Sequence, residues 1–157
     1  MMKDSSVEDR DYKLWVLLSQ AKDAVFKARR RELSQYGITG EQSKVLFSIH
    51  AIGERVTPAE ICRWQLRESQ TVSAIINRMT EKDLIRKDKD LNRKNLVIVK
   101  MTGKGHEAYH NSSKRESIHR IFSCLTEEER HALMSCLRKI RDSALKETGM
   151  RGNVPYP

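Results

Sequence analysis

The side chains that could do chemistry are concentrated between Glu68 and Lys104. From Gln70 to Met79 two sets of residues interleave: Gln70, Thr71, Ser73, Ala74, Asn77 and Arg78, and against them Val72, Ile75, Ile76 and Met79. The apolar set has the spacing of one helix face. The polar set, which Ser69 extends backwards, falls largely on the other faces. It is made of short, hydrogen-bonding or cationic groups, suited to base edges and phosphates rather than to a solvated Glu/Lys surface. Just downstream, Arg86, Lys87, Lys89, Arg93, Lys94, Lys100 and Lys104 crowd into one short stretch, opposed only by Asp88 and Asp90. The chemistry implied is the gripping of a nucleic-acid duplex. Gln70, Thr71, Ser73 and Asn77 are candidates for base or phosphate contacts, and Arg78, Arg86, Lys87, Lys89 and Lys94 for phosphate. The plain alternative is a face that is merely solvated.

These residues need a helix followed by a hairpin to position them. Val97, Val99 and Met101 alternate with Leu96, Ile98 and Lys100, the period of a strand. Lys87 to Asn95 is polar and turn-prone, the tip between two short strands. A polar-faced recognition helix ending near Asp83 and then a basic hairpin reads as a winged helix-turn-helix. The preceding helices announce their starts: Thr39 with Gln42 and Thr57 with Glu60 fit the capping-box pattern, as does Thr126 with Glu129. Pro58 occupies a first helical position, where its missing N–H costs nothing. Ser6 with Asp9 is a weaker start signal of the same kind.

The spacing predicts a first helix from about Val7 to Gln35, a second from about Glu41 to Ile52 and a short third from about Pro58 to Trp64. One long helix is expected from Thr102 to about Phe122, and a last from about Glu127 to Glu147. Leu14, Leu17, Leu18, Ala21, Val25 and Ala28 form an apolar stripe too long for a small core, so part of it is expected to meet another subunit. Leu133, Leu137, Ile140 and Ala144 make a second stripe suited to a helix–helix seam. The tail from Gly149 to Pro157 reads as disordered.

At 157 residues the chain is expected to form one domain with a real core. Its 30 Lys and Arg against 21 Asp and Glu give a formal charge of +9, which favours a polyanionic partner. The first residues contain no apolar stretch of the signal-peptide kind, and no apolar run approaches the ~20 residues needed to cross a bilayer. A cytoplasmic protein without a membrane segment is expected. Cys62, Cys124 and Cys136 are too scattered for a disulfide scaffold or a cysteine-based zinc module. His106 and His110 share one helix face, but a tetrahedral zinc site needs further ligands, so surface histidines are the expected reading. No nucleophile elbow, phosphate-cradling glycine loop or paired-carboxylate motif is present, so neither an enzyme nor a cofactor is implied.

From about Tyr12 to Lys146 this order of elements resembles the MarR family, the multiple-antibiotic-resistance type of bacterial repressor. The specific pieces are Thr71-Val72-Ser73 through Asp83-Leu84-Ile85-Arg86-Lys87, and then Met101-Thr102-Gly103-Lys104-Gly105. The chain departs from the family pattern twice. Asp83 replaces the usual glycine after the recognition helix. The Asp-x-Arg of the wing, in which an acid braces a minor-groove arginine, reads Arg93-Lys94-Asn95 or, slipped by one, Asn92-Arg93-Lys94, with no acid in either register. Arg93 is still the expected minor-groove side chain.

The resemblance implies a mainly α fold with a small β-hairpin wing. It places a DNA-binding lobe at about 39–101 and dimerisation helices at about 7–35 and 102–147 of an interlocked helical homodimer. It also implies a double-stranded operator, read by two recognition helices about one DNA turn, roughly 34 Å, apart. Relatives often bind small aromatic acids between the dimer helices and the DNA-binding lobe. Trp15, Phe26, Phe47 and His50 are candidates to line such a cavity, with Lys22 or His50 meeting an anionic group. For Phe47, plain core packing is the simpler expectation. Two alternatives stand beside the repressor reading. One is a thiol switch, although the cysteine that peroxide-sensing relatives keep near the start of the first helix is missing here and Cys62 reads as a small hydrophobe. The other is a non-specific architectural DNA binder.

Overall fold

A computed structural model describes residues 9–93, 95–150 and 154–157 of the chain. Helix α1 spans Arg10–Ser34 and starts at Asp9, whose carboxylate accepts the amides of Asp11 and Tyr12. Ser6 and Val7, the expected start, lie outside the described residues. Helix α2 (Gly40–Ile52) and helix α3 (Pro58–Gln65) each begin at a complete capping box, on Thr39 with Gln42 and on Thr57 with Glu60. Helix α4 (Ser69–Glu81) follows after Leu66, which adopts a left-handed conformation at the end of α3. Strands β1 (Ile85–Lys89) and β2 (Val97–Met101) form an antiparallel pair with Ile85 opposite Met101. Three helices complete the described chain: α5 (Gly103–Ser112), α6 (Glu116–Phe122) and α7 (Glu127–Glu147).

The core lies in the middle of the sequence. Val45, Leu46 and Ile49 of α2, Ile61 of α3, and Val72, Ile75, Ile76 and Met79 of α4 are all buried. Each contributes roughly 1.5–3 kcal/mol of apolar burial. Ile85 and Val99 carry this core into the wing, and Val56 joins it as a fragment of third strand bridged to Val99. The recognition helix therefore has one side fixed by packing and the other left open.

Two junctions set the angle between α4 and the wing. Asp83 sits at φ 58°, with its amide donating to the Thr80 carbonyl and the Leu84 amide to Met79. This is the Schellman closure that normally takes glycine at the left-handed position, so Asp83 fills that role in its place. The Thr102 hydroxyl then donates to the Asp83 carbonyl at 2.5 Å, tying the start of α5 to the same corner.

The single long helix expected from Thr102 to Phe122 is instead two, broken around Arg115, which adopts φ 49°. In a continuous helix the Ser112 carbonyl would accept the Glu116 amide. Here Arg29 donates to the Ser112 carbonyl at 2.7 Å, and the Glu116 amide donates to Glu32 at 2.8 Å. Glu32 also accepts from the Ser117 amide and hydroxyl. An ion pair from α1 thus replaces the helical bond and caps α6 from outside.

Two apolar stripes are left uncovered by the described residues. Leu14, Trp15, Leu17 and Leu18 of α1 are exposed, as are Leu133, Met134, Leu137 and Ile140 of α7, a helix with no buried residue. Near the end of the chain the Tyr156 ring stacks on Trp64 at 5.6 Å and lies against Phe47 at 5.2 Å. Residues 151–153 lie outside the described set. Among the described residues no helix is long and apolar enough to cross a membrane.

Candidate nucleic-acid interface

Helix α4 presents Ser69, Gln70, Ser73, Ala74, Asn77 and Arg78 to solvent, with Thr71 half-buried. The split follows from the sequence, because burying Val72, Ile75, Ile76 and Met79 leaves the intervening positions outside. The wing stands beside this face. The Lys87 ammonium donates to the Asn77 side-chain oxygen at 2.5 Å, so the strand and the recognition helix share one polar surface. Lys89 and Arg93 are exposed. Arg86 and Lys100 both approach Asp88, at 3.3 and 3.6 Å, which offsets part of their charge. Lys94 lies outside the described residues. Arg78 also lines a cleft, together with Ile75, Glu81 and Lys82.

The wing tip contains an element that motif reading missed. Asp90 is buried, accepts from Arg55 and from the Asn92 amide at 2.8 Å, and donates its own amide to the Leu96 carbonyl. The Asn92 amide and then the Arg55 guanidinium hold its carboxyl below the usual carboxylate range. Nothing local distinguishes Asp90 from its neighbour Asp88, and its partner lies 35 positions away.

The cleft has a volume of about 1220 Å³ and lies between α1, α2 and the α5–α6 break. Lys22, Phe26 and Phe47 line it, together with Arg29, Lys44, Tyr109, Arg115 and Tyr156, which sequence patterns did not single out. Trp15 and His50 do not line it: Trp15 stacks on Tyr12 at 5.7 Å, and His50 on Tyr109 at 4.5 Å. Phe47 is half-buried between Trp64, Tyr156 and the Arg115 guanidinium. The Lys44 ammonium lies 4.6 Å from the Phe26 ring centre. Burial, reinforced by the nearby positive charge of Arg67, lowers its pKa from the ordinary lysine value. Apolar rings with cations around them suit an aromatic anion.

The other candidate chemistries are less developed. Burial raises the pKa of the Cys62 thiol, which disfavours the reactive thiolate, while Cys124 and Cys136 are exposed and unpaired. Among the described residues no three of His, Cys, Asp and Glu converge on a metal-sized site.

Comparison with known proteins agrees with this geometry. A sequence profile described as MarR family matches residues 36–94, from the end of α1 into the wing. No curated protein sequence matches the chain. The organohalide-sensing transcriptional regulator RdhR-CbdbA1625, solved with 2,4-dichlorophenol bound, is similar across 100% of this chain and 95% of its own, with 26% identity and a TM-score of 0.88. A MarR mutant from E. coli in complex with operator DNA shares the fold at 23% identity and a TM-score of 0.78, over 88% of this chain and 99% of its own. The MepR–DNA complex from S. aureus does so at 21% identity and a TM-score of 0.71, over 90% and 99%. Residues 36–94 thus resemble the MarR family, and the chain as a whole is similar to a solved transcriptional regulator.

Proposed function

We propose that the protein is a dimeric repressor that occupies a pseudo-palindromic operator and leaves it when a small aromatic anion binds. The observation that carries this reading is the continuity of the outer face of α4 with the wing through Lys87 and Asn77. Short polar groups that suit base edges stand on the helix, and exposed cations that suit phosphate stand on the hairpin. The uncovered stripes of α1 and α7 supply the surface through which two copies interlock, setting paired recognition helices in successive major grooves.

The effector reading rests on the cleft. Phe26 and Phe47 offer aromatic walls, and Lys22, Arg29 and Lys44 offer counter-charge to a phenolate or carboxylate. Arg29 also holds the α5–α6 break, so a ligand that engages it acts on the joint between the helices and the DNA-binding lobe. The likeness to a regulator solved with 2,4-dichlorophenol supports a phenolic ligand class.

Two measurements test the function. Fragments of the source genome selected on the purified protein should converge on one inverted repeat; recovery of random fragments would favour an architectural binder. A panel of phenols and benzoate-like acids should contain compounds that raise the melting temperature and release the selected DNA. A panel with no stabilising member would leave the effector reading without support.

A further inference from the structure

The wing lacks the acid that family members place beside their minor-groove arginine, yet its tip is not left loose. Asp90 begins the turn, with a side chain only 4% exposed. Its carboxylate holds the Asn92 amide, and its amide reaches the Leu96 carbonyl at 2.9 Å, closing the base of the tip. The Leu96 amide donates in turn to the Arg93 carbonyl at 2.9 Å, so Arg93 sits within a doubly closed loop. The remaining partner comes from outside the hairpin. Arg55, in the turn between α2 and α3, reaches Asp90 from a left-handed backbone at φ 60°. The adjacent Val56 is fully buried, and its carbonyl accepts the Val99 amide at 2.8 Å, so Arg55 is anchored on the wing it braces. Arg55, Arg63 and Arg93 line one pocket between the tip and α3, where the Glu60 carboxylate is engaged by the Thr57 cap.

We infer that Arg55 and Asp90 replace the missing wing acid: this inter-element ion pair fixes the tip so that Arg93 enters the duplex at a set angle. The inference rests on the DNA-binding reading above. It makes Arg55 and Asp90 positioning residues that act through Arg93.

The sign of one substitution separates this from simple charge effects. Removing an acid beside a polyanion should strengthen binding if Asp90 acts only through its charge. The brace requires the opposite. In titrations of a mixed-sequence 30-base-pair duplex, Arg93→Ala is expected to weaken binding about tenfold and lower the salt slope by about 1 per protomer. Asp90→Asn and Arg55→Ala are each expected to weaken binding about three- to tenfold, with Arg55→Lys restoring most of the loss. In the Arg93→Ala background, Arg55→Ala should add less than about twofold, because the two act on one contact.

A DNA-free measurement keeps the brace separable from the function. Trypsin should cut the wing tip of Asp90→Asn and Arg55→Ala at least about threefold faster than the wild type, at unchanged helical content. Wild-type protein that ignores the duplex while this difference in cleavage persists overturns the DNA-binding reading and leaves the brace standing. Asp90→Asn binding as tightly as wild type, an Arg55→Ala loss that persists undiminished without Arg93, or equal cleavage rates would each overturn the brace.

Discussion

Lys87 of the first wing strand donates to the side-chain oxygen of Asn77 on α4 across 2.5 Å. The bond leaves the Asn77 amide nitrogen as the donor available to a base edge. Lys89, two positions further along the strand, is exposed. On the proposed reading, neighbouring side chains fall into two classes, one that reads bases and one that holds the backbone.

That division predicts different outcomes for nearby substitutions. Asn77→Ala or Ser73→Ala should shrink the affinity ratio between selected and random DNA about tenfold, the scale of one lost base contact. Lys89→Ala should weaken both complexes alike and reduce the salt slope by about 1 per protomer. Gel-shift titrations at several salt concentrations read both quantities. Loss of preference in Lys89→Ala alone would contradict the assignment.

A second prediction concerns Glu32. Its side chain is 6% exposed and its partner Arg29 is 13% exposed, at 2.7 Å. Burial acts to raise the Glu32 carboxyl, but the Ser117 hydroxyl and Arg29 outweigh it and leave the pKa below the ordinary 4.5. A carboxylate depressed on folding stabilises fully above its unfolded pKa, and that stability is lost as pH falls through the lower folded value. Thermal melts should therefore show wild-type stability falling below about pH 4.5, and the Glu32→Gln variant should lose part of that acid sensitivity. Glu32→Ala leaves Arg29 unpaired and α6 uncapped, and should cost about 3–5 kcal/mol at neutral pH. Identical pH profiles for wild type and Glu32→Gln would contradict this role.

The corner between α4 and α5 gives a third prediction with opposite signs at two positions. A Cβ at Gly105 would stand 1.9 Å from the Leu84 carbonyl oxygen, a backbone atom that cannot turn aside. Gly105→Ala should destabilise by about 1–3 kcal/mol, since α5 must move off the wing. Asp83 is held at φ 58°, so Asp83→Gly should relieve about 1 kcal/mol of backbone strain. Chemical denaturation of the two variants compares the signs directly; equal effects would overturn the reading of this corner.

The elements that sequence patterns located are those whose causes are local. Thr39, Thr57 and Thr126 cap helices through residues three positions ahead, and each helix begins there. The alternation around Val99 and the stripe of α4 are periodicities of a single element. What escaped was decided at long range. The break after Ser112 depends on Arg29 and Glu32, and in isolation the stretch reads as continuous helix. Asp90 looks like one more solvated acid until Arg55 is folded against it. In the cleft, the cation Lys22 and the aromatics Phe26 and Phe47 were named through the family resemblance, whereas Tyr156 reaches it from the far end of the chain.

On the proposed reading, paired copies of α4 read one site while two wings hold its flanks. Hydroxyl-radical footprinting on a fragment selected from the genome tests it most directly. One protected segment with two-fold symmetry is expected, its two strongest regions about one helical turn apart, with weaker protection on either flank that disappears in Arg93→Ala. Even protection along the whole fragment, or a single unrepeated patch, would contradict it.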